Sequence, residues 1–555
     1  MQKKHVLYAV LSGVLLALSF PPINMNFLAF FGLIPLLLLL KDRELKHPYL
    51  LSYITFFIFH VASNWWISSW RTGTNPYLMA SGLAIDFVHP LFFLVPMIVF
   101  RFFNRHLGSK VALRTFPFIW VAYEWLHSLG DLGYPWLSIG KTQLIFLPWI
   151  QFADLVGVIG AGFFIVMINV LLLEIIEYSR ENKLNFFKSL IKKPIQLALI
   201  ALFIIAPVIY GFIQLDKYDH KKLLAENEHL NVALVQPAYD AWIKWESSPL
   251  SMVERHFNLL DSLIATKQSK IDLAVWPETA IPYLGWSFSV EHNFSLLEQY
   301  VESRNVPLLV GFADTKVYTA KNAPDQADAL PMDTSIKYIS YNATLMLNKK
   351  PYEKAQPRIY HKMRLTPFAE RVPYVEHLGF LKSVMKSGVG LSAWGKGGDQ
   401  HNLTFYKNGE RHTIGSIICI ESIFPGFIRK FTNMGAELLV IQTNDAWYDY
   451  TTGPGQHYDI ARIRAIENRR YIARCGNTGL SGWIAPTGRS LGELKHYVPN
   501  AGVLSLPLLK EKSLYVRSGD WFPNFCLRLV EIMFIIVLYQ MIIKKKRKSG
   551  TTAKI

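Results

Sequence analysis

Cysteine is scarce in this chain: 555 residues carry three, Cys419, Cys475 and Cys526. So few thiols exclude a disulfide-built scaffold and a cysteine-rich metal module. One bridge, Cys419–Cys475, is arithmetically open; free thiols are the expectation, because a bridge would consume the best-placed nucleophile. Charge is thin as well, at 18% of residues against 51% hydrophobic, which is too apolar for an ordinary soluble enzyme. The net charge of +17 comes with no nucleic-acid-binding motif. Its lysines and arginines gather beside hydrophobic runs, where they set membrane orientation. Gly453-Pro454-Gly455 lacks the Gly-Lys pair of a phosphate loop and reads as a turn. His457 has no second histidine at a ligand-like spacing, and His401 and His412 are scattered, so neither a metal nor any other cofactor is expected.

Long hydrophobic runs are what the chain does have. After Lys3-Lys4 an apolar run extends to Phe20 without a small-residue cleavage site, and a second, Phe27 to Leu40, follows Pro21-Pro22 at once. The pair reads as an uncleaved helical hairpin rather than a signal peptide. Further runs of membrane length lie near 48–67, 77–100, 112–128, 148–178, 195–214 and 523–543, so about eight transmembrane helices are expected. Pro90 and Pro96 should kink the fourth. Basic clusters precede the first span (Lys3, Lys4) and follow the second (Lys41, Arg43, Lys46), fourth (Arg101, Arg105, Lys110), sixth (Arg180 to Lys193) and eighth (Lys544 to Lys548). All fall on one side if the spans alternate, and the positive-inside rule makes that side the cytoplasm. Both termini are then cytoplasmic. The expected organisation is a helical membrane domain of seven spans (1–217), an exported catalytic domain on the periplasmic face of a bacterial inner membrane (218–518), and a last span with a basic tail (519–555). Asp86, His89, Glu124, Asp154 and Glu531 fall within spans and are read as helix-end or helix–helix hydrogen-bonding groups.

The 218–518 block alternates strand-like and helix-like segments. Candidate strands are Asn231–Gln236, Leu273–Trp276, Pro307–Phe312, Tyr341–Leu347, Thr413–Ile420, Leu438–Thr443 and Gly479–Ile484; candidate helices are Met252–Thr266, Phe294–Arg304 and Tyr458 to about Arg470. That order implies a layered α/β fold, with the polar stretch 316–337 as a loop.

Its chemistry centres on Ser416-Ile417-Ile418-Cys419-Ile420-Glu421, where a β-branched run ends in a thiol. A free thiol has a pKa of about 8.5 and needs a base, and the oxyanion that its attack creates needs a cation or N–H donors. Glu278, after Trp276-Pro277, and Lys362, after Tyr360-His361, are the candidates for those parts. Each alone has a bland reading: a buried structural cysteine, a turn-capping carboxylate and a solvated lysine.

Taken together with the strings around them, the three resemble the Glu-Lys-Cys set of the nitrilase superfamily. The matching residues are Trp276-Pro277-Glu278, Lys362 followed by Pro367-Phe368-Ala369-Glu370, and Cys419 followed by Glu421. With the membrane spans, nearly the whole chain resembles the membrane-bound branch of that superfamily, the apolipoprotein N-acyltransferases. Gln236, Tyr134-Pro135-Trp136-Leu137-Ser138, Thr443-Asn444-Asp445-Ala446-Trp447, Gly453-Pro454 with Gln456-His457, Ala461-Arg462-Ile463-Arg464-Ala465, and Arg474 with Asn477-Thr478-Gly479 also agree. Ala369 and Ile420 depart from the family's frequent glycine and aromatic residue. The resemblance implies an exported α-β-β-α sandwich with Cys419 as nucleophile, Glu278 as general base and Lys362 as oxyanion stabiliser. Glu370 and Glu421 would be supporting carboxylates. Trp242 or Trp245, Asn444 and Trp447 would be supporting or substrate-binding residues. It further implies ping-pong transfer of an acyl chain from a membrane phospholipid, through a cysteine thioester, to the amino group of a diacylglyceryl-cysteine apolipoprotein, by an enzyme expected to act as a monomer.

The membrane attachment has its own physical logic. Each buried methylene is worth roughly 0.8 kcal/mol, so drawing a chain of about sixteen carbons into water costs on the order of 10 kcal/mol. The site should therefore open at the lipid surface. Candidate mouth segments are Leu378–Met385, Gly390–Trp394 and Trp447–Tyr450, with Phe380, Leu381, Val384, Met385, Trp394, Trp447 and Tyr448 as their apolar side chains. The alternative activity is that of a membrane-tethered nitrilase-type amide hydrolase; a non-enzymatic transporter or scaffold is the rival from another class.

Overall fold

Hydrophobic runs without enough polar residues to line a water-facing surface fold as helices, because only a helix satisfies its own backbone in an apolar medium. The computed structural model describes the chain outside residues 1, 69–75, 242–243, 245–247, 267–269, 285–287, 325–326, 330–334, 350–357, 368, 372, 375–393, 449 and 552–555. The chain divides into two compact units, one from the segments up to Ser68, Gly82–Ile213 and the chain from Asp520, the other built on Gln214–Gly519.

The first unit is helical. Among the described residues, five helices are long and apolar enough to cross a membrane: Pro48–Ser68, Gly82–Leu107, Ala153–Glu181, Pro194–Lys217 and Trp521–Lys544. The other three expected spans fall short of that measure. The first helix, Lys3–Leu18, has 16 residues, about 24 Å at 1.5 Å per residue, against a hydrocarbon core of about 30 Å. The second run forms only a 3₁₀ turn, Asn26–Phe30, and a short helix, Ile34–Leu40. The fifth, Ser109–His127, carries Lys110, Arg114 and Glu124, which dilute its apolar stretch. The kink expected near Pro90 and Pro96 is a break: one helix ends at Phe92 and the next starts at Leu94, where Pro96 removes the N–H that the Phe92 carbonyl would have accepted.

Several buried polar groups inside this unit are tied to neutral partners. Glu124 accepts from Trp120 Nε1 (2.8 Å), Ser138 Oγ (2.6 Å) and the Ile139 amide (3.0 Å), pinning the Tyr134–Ser138 segment to its helix. Tyr210 Oη donates to the Asp154 carboxylate at 2.9 Å. His60, His89 and His127 form a chain of imidazoles with nitrogen separations of 2.7 and 2.8 Å, ending on the Phe56 carbonyl. Of the in-span polar residues, His89 and Asp154 thus make the expected helix–helix hydrogen bonds, whereas Glu531 pairs with Arg528 on its own helix.

The second unit is a sandwich of two sheets. Its strands in chain order are β1 (His229–Gln236), β2 (Leu273–Val275), β3 (Ile281–Leu284), β4 (Leu308–Thr319), β5 (Asp328–Ala329), β6 (Ile336–Leu347), β7 (Ile359–His361), β8 (Leu403–Lys407), β9 (Glu410–Ile418), β10 (Leu438–Thr443), β11 (Ile472–Gly476), β12 (Gly482–Ile484), β13 (Ser490–Glu493) and β14 (Asn500–Pro507). One sheet has the order β14-β1-β2-β4-β6-β5, with β3 on β4 and β7 on β6; the other has the order β13-β12-β11-β10-β9-β8. Parallel pairing joins β1 to β2, β2 to β4, β9 to β10 and β10 to β11. Where these strands are buried on both faces, as at Leu273–Val275, Leu308–Val310, Ile417–Ile418 and Leu438–Ile441, they read as continuous apolar runs. Helices Pro249–Thr266 and Phe288–Arg304 pack on the first sheet, and Pro425–Asn433 and Gly453–Asn468 on the second.

Between the sheets run buried ties. Gln442 Nε2 donates to the Trp276 carbonyl and its Oε1 accepts from Thr344 Oγ1, both at 2.6 Å. Cys475 Sγ packs on the Val235 and Val275 carbonyls, and all three thiols are free. Three expectations need correction. The ends of 316–337 are not loop: β4 continues to Thr319 and pairs with β6 from Ile336 in a long antiparallel ladder, and Asp328–Ala329 adds a short strand. Gly453-Pro454-Gly455 is not a free turn but the start of the helix expected from Tyr458, with Pro454 in its first turn, where a missing N–H costs nothing. The strand expected from Gly479 begins at Gly482.

Candidate active site

Glu278, Lys362 and Cys419 each follow the carboxyl end of a strand: β2, β7 and β9. In open α/β sheets that is where loops converge on ligands. Cys419 leaves β9 with φ of 50°, a left-handed conformation that costs a non-glycine residue about 1 kcal/mol or more. A 3₁₀ turn, Cys419–Ile423, and a helix opening on Pro425 then carry the chain away. Glu421 closes this elbow. Fully buried, its carboxylate accepts from the Ile418 amide (2.8 Å), the Met363 amide (2.7 Å) and Tyr360 Oη (2.8 Å). It thereby staples the segment after Lys362 to the cysteine turn. Burial pushes its carboxyl up to about 7, against the pull of those amides.

Lys362 is 1% exposed. Its Nζ donates to Glu278 Oε1 at 3.0 Å and to Glu370 Oε1 at 2.8 Å. Burial disfavours its charge, but the two carboxylates outweigh burial and hold the ammonium well above the ordinary lysine range. Glu370 is also opposed by burial, yet Lys362 and the Thr366 amide (2.7 Å) and hydroxyl (2.9 Å) keep it below the usual carboxylate range. Asn342, on β6, bridges the pair: Nδ2 lies 2.7 Å from Glu278 Oε1 and 3.2 Å from Glu370 Oε1, while its carbonyl accepts the Lys362 amide at 2.8 Å. Burial dominates the Cys419 thiol and pushes it far above the free-thiol range; Glu278, Asp445 and Glu370 add to this and Lys362 opposes it. Cys419 as a residue remains half-buried.

The backbone around the carboxylate is equally constrained. Thr279, next to Glu278, has φ of 45°. Buried Lys244 grips this turn, with Nζ 2.9 Å from Thr279 Oγ1 and 3.2 Å from the Glu278 carbonyl oxygen. Burial lowers that ammonium to about 7, and the nearby Glu278 resists the fall. Gly311, on β4, passes beneath: a Cβ there would lie 2.3 Å from the Pro277 carbonyl oxygen and 2.9 Å from Glu278 Cα.

Of the other expected residues, Asn444 is buried and accepts from Asn477 Nδ2 at 3.1 Å, in a tie that also holds Tyr239. Trp447 is half-buried in the 3₁₀ turn Asp445–Tyr448. Trp242, Trp245, Phe380, Leu381, Val384 and Met385 lie outside the described residues. Trp394 is buried, its amide on the Glu370 carbonyl at 3.2 Å, whereas Tyr450 is 81% exposed. Sequence reasoning passed over Asn342 and Lys244. A lone amide inside the apolar Tyr341–Leu347 run was the available signal for the first. Cys419, Asp445 and His457 offer ligand-type atoms within 4.8 Å of one another, but Asp445 and His457 already bond each other at 2.9 Å.

A thiol, two carboxylates and one ammonium at the strand ends of a two-sheet sandwich mark this unit as a nitrilase-like α/β domain, and residues 231–498 match the carbon-nitrogen hydrolase family. An amidase from Nesterenkonia sp. resembles it at 18% identity and a TM-score of 0.36, over 54% of this chain and 97% of that one. Residues 12–171 match the apolipoprotein N-acyltransferase N-terminal domain. The chain is 32% identical over 534 residues to the apolipoprotein N-acyltransferase of Chlorobaculum tepidum, covering 95% of each. It is 30% identical over 556 residues to apolipoprotein N-acyltransferase 1 of Treponema denticola, covering 96% of each. The chain belongs to the apolipoprotein N-acyltransferase family.

Proposed function

We propose that Cys419 takes an acyl chain from a membrane phospholipid as a thioester and passes it to the α-amino group of a diacylglyceryl-cysteine apolipoprotein. The observation that carries this reading is the buried Lys362 shared by Glu278 and Glu370 at 3.0 and 2.8 Å, beside a thiol on a left-handed elbow, in a chain of this family. In the first half-reaction Glu278 takes the thiol proton as sulfur attacks the ester carbonyl, and Lys362 donates to the oxyanion. The intermediate collapses, the glycerol oxygen recovers the proton from Glu278, and a lysophospholipid leaves. In the second half-reaction the amine attacks the thioester, Glu278 accepts its proton, and the returning proton restores the thiol as the amide forms. Glu370 and Asn342 hold Lys362 and Glu278 in register, and Glu421 holds the two loops together. Trp242, Trp245, Asn444 and Trp447 serve the substrate side, and no cofactor enters.

The same reading takes the protein as a monomer of about eight spans with both termini cytoplasmic and residues 218–518 on the periplasmic face, supported by the one-sided lysine and arginine clusters. The test is incubation of the purified protein with phospholipid, followed by mass spectrometry. A hydroxylamine-labile acyl adduct on Cys419, absent from Cys419→Ser and discharged by a diacylglyceryl-cysteine peptide with amide formation, is the expected result. No adduct in the wild-type protein, or discharge only to free fatty acid, rejects the transfer.

A further inference from the structure

Thr443, the last residue of strand β10, and Asp445 just after it lie beside the nucleophile and have no part in the steps above. Thr443 Oγ1 lies 3.5 Å from Cys419 Sγ and 2.8 Å from Asp445 Oδ1. One hydroxyl proton cannot serve both acceptors at once. Asp445 is anchored without the threonine: Arg474 Nη2 reaches its Oδ2 at 2.6 Å, and His457 Nδ1 its Oδ1 at 2.9 Å. Burial works against this carboxylate, but Arg474 and His457 overcome it and hold the group below the usual range. On its other side His457 turns Nε2 to Ser422 Oγ at 2.8 Å and to the Cys419 carbonyl oxygen at 3.2 Å. Ser422 Oγ itself donates to that carbonyl at 2.8 Å. One buried network therefore grips the cysteine by its backbone and faces its sulfur with a rotatable donor.

We propose that Thr443 is a further catalytic residue, whose hydroxyl donates to Asp445 while Cys419 is a thiol and swings to the sulfur whenever that sulfur carries negative charge. This rests on Cys419 being the nucleophile. In the forward step the thiol proton goes to Glu278 and Thr443 keeps its own, so nothing is gained or lost at the threonine. When the thioester collapses and the thiolate departs, the same hydroxyl meets it again. Asp445 gives up one hydrogen bond in each swing and keeps Arg474 and His457. Burial, Glu278, Asp445 and Glu370 all disfavour the thiolate, with Lys362 on the other side of the balance. A donor parked on a permanent anion can supply a second favourable contact without moving any buried charge.

The experiment uses the full-length protein in detergent micelles, as wild type, T443V and T443S, each checked for an unchanged melting temperature. Two rates are measured: iodoacetamide alkylation of Cys419 against pH, and formation of the acyl adduct from dipalmitoyl phosphatidylethanolamine. T443V should move the alkylation profile up by about one pH unit, equivalent to roughly tenfold in rate, and slow acylation by a similar factor. T443S should restore both. T443V matching wild type in both rates overturns the proposal, and so does T443S failing as badly as T443V, which would mean that side-chain shape rather than the hydroxyl matters. Should T443V melt early, T443A is read by the same criteria. Absence of any adduct in wild type rejects the acyl-transfer reading, and the alkylation profiles still decide the role of Thr443.

Discussion

Buried carboxylates occur in both units, and their company differs. In the helical unit Glu124 meets three neutral donors, an indole, a hydroxyl and an amide. In the α/β unit Glu278 and Glu370 share a single ammonium next to a thiol. The first arrangement is complete and fastens a loop to a helix. The second sets two carboxylates on one shared ammonium, with the Lys244 ammonium near Glu278 lowered by burial to about 7, and gains from any further proton or positive charge that arrives. Burial alone does not mark a reactive group; an incomplete charge count around it does.

Substitutions can break or sharpen that contrast. Cys419→Ala should abolish the acyl adduct altogether, seen by mass spectrometry of the intact protein. Glu278→Gln removes the proposed proton acceptor but keeps the shape, and should slow acylation by about 10²–10⁴-fold in single-turnover measurements. Lys362→Met should cost on the order of 10²–10³-fold. It should also move the Cys419 alkylation profile to still higher pH, since the lysine is the charge that opposes the upward shift of the thiol.

Glu421→Gln should act on stability. The folded carboxyl, at about 7 against an ordinary 4.5, binds its proton more tightly than the unfolded chain does. Its contribution is full below the unfolded value and is lost as pH rises through the folded one. Wild type should therefore lose on the order of 3 kcal/mol across that window, while the glutamine variant stays flat when melting temperature is followed against pH. Glu124→Gln is the smallest change: about 1–2 kcal/mol of stability, with the acylation rate of the folded protein unaltered. A large loss of acylation there would erase the distinction between the two units.

How much of this was readable in the residues depended on burial. Strand β10 was expected at Leu438–Thr443 and has those bounds, because all six residues are buried and it opens on the continuous apolar run Leu438–Ile441. Strand β11 went unexpected because Arg474 lies in its middle, and only the fold reveals that Asp445 compensates that guanidinium. The inner half of the β4–β6 ladder was expected as strand, and its outer end was taken for loop because it runs into solvent and carries Lys316 and Lys337, leaving no alternation to detect. The carboxylate, lysine and cysteine were legible as members of a known set of strings. Asn342, Lys244 and the threonine beside the sulfur were not, since each meets its partner among Glu278, Thr279 and Cys419 only through the fold.

Gly311 carries a practical consequence. A methyl group added there would strike the main chain around Glu278, the Pro277 carbonyl oxygen first, rather than any side chain. A Gly311→Ala protein would keep every ionisable group of the wild type and still present its carboxylate out of line. Such a variant should bind a donor lipid without turning it over, which would let the complex that precedes the first half-reaction be imaged.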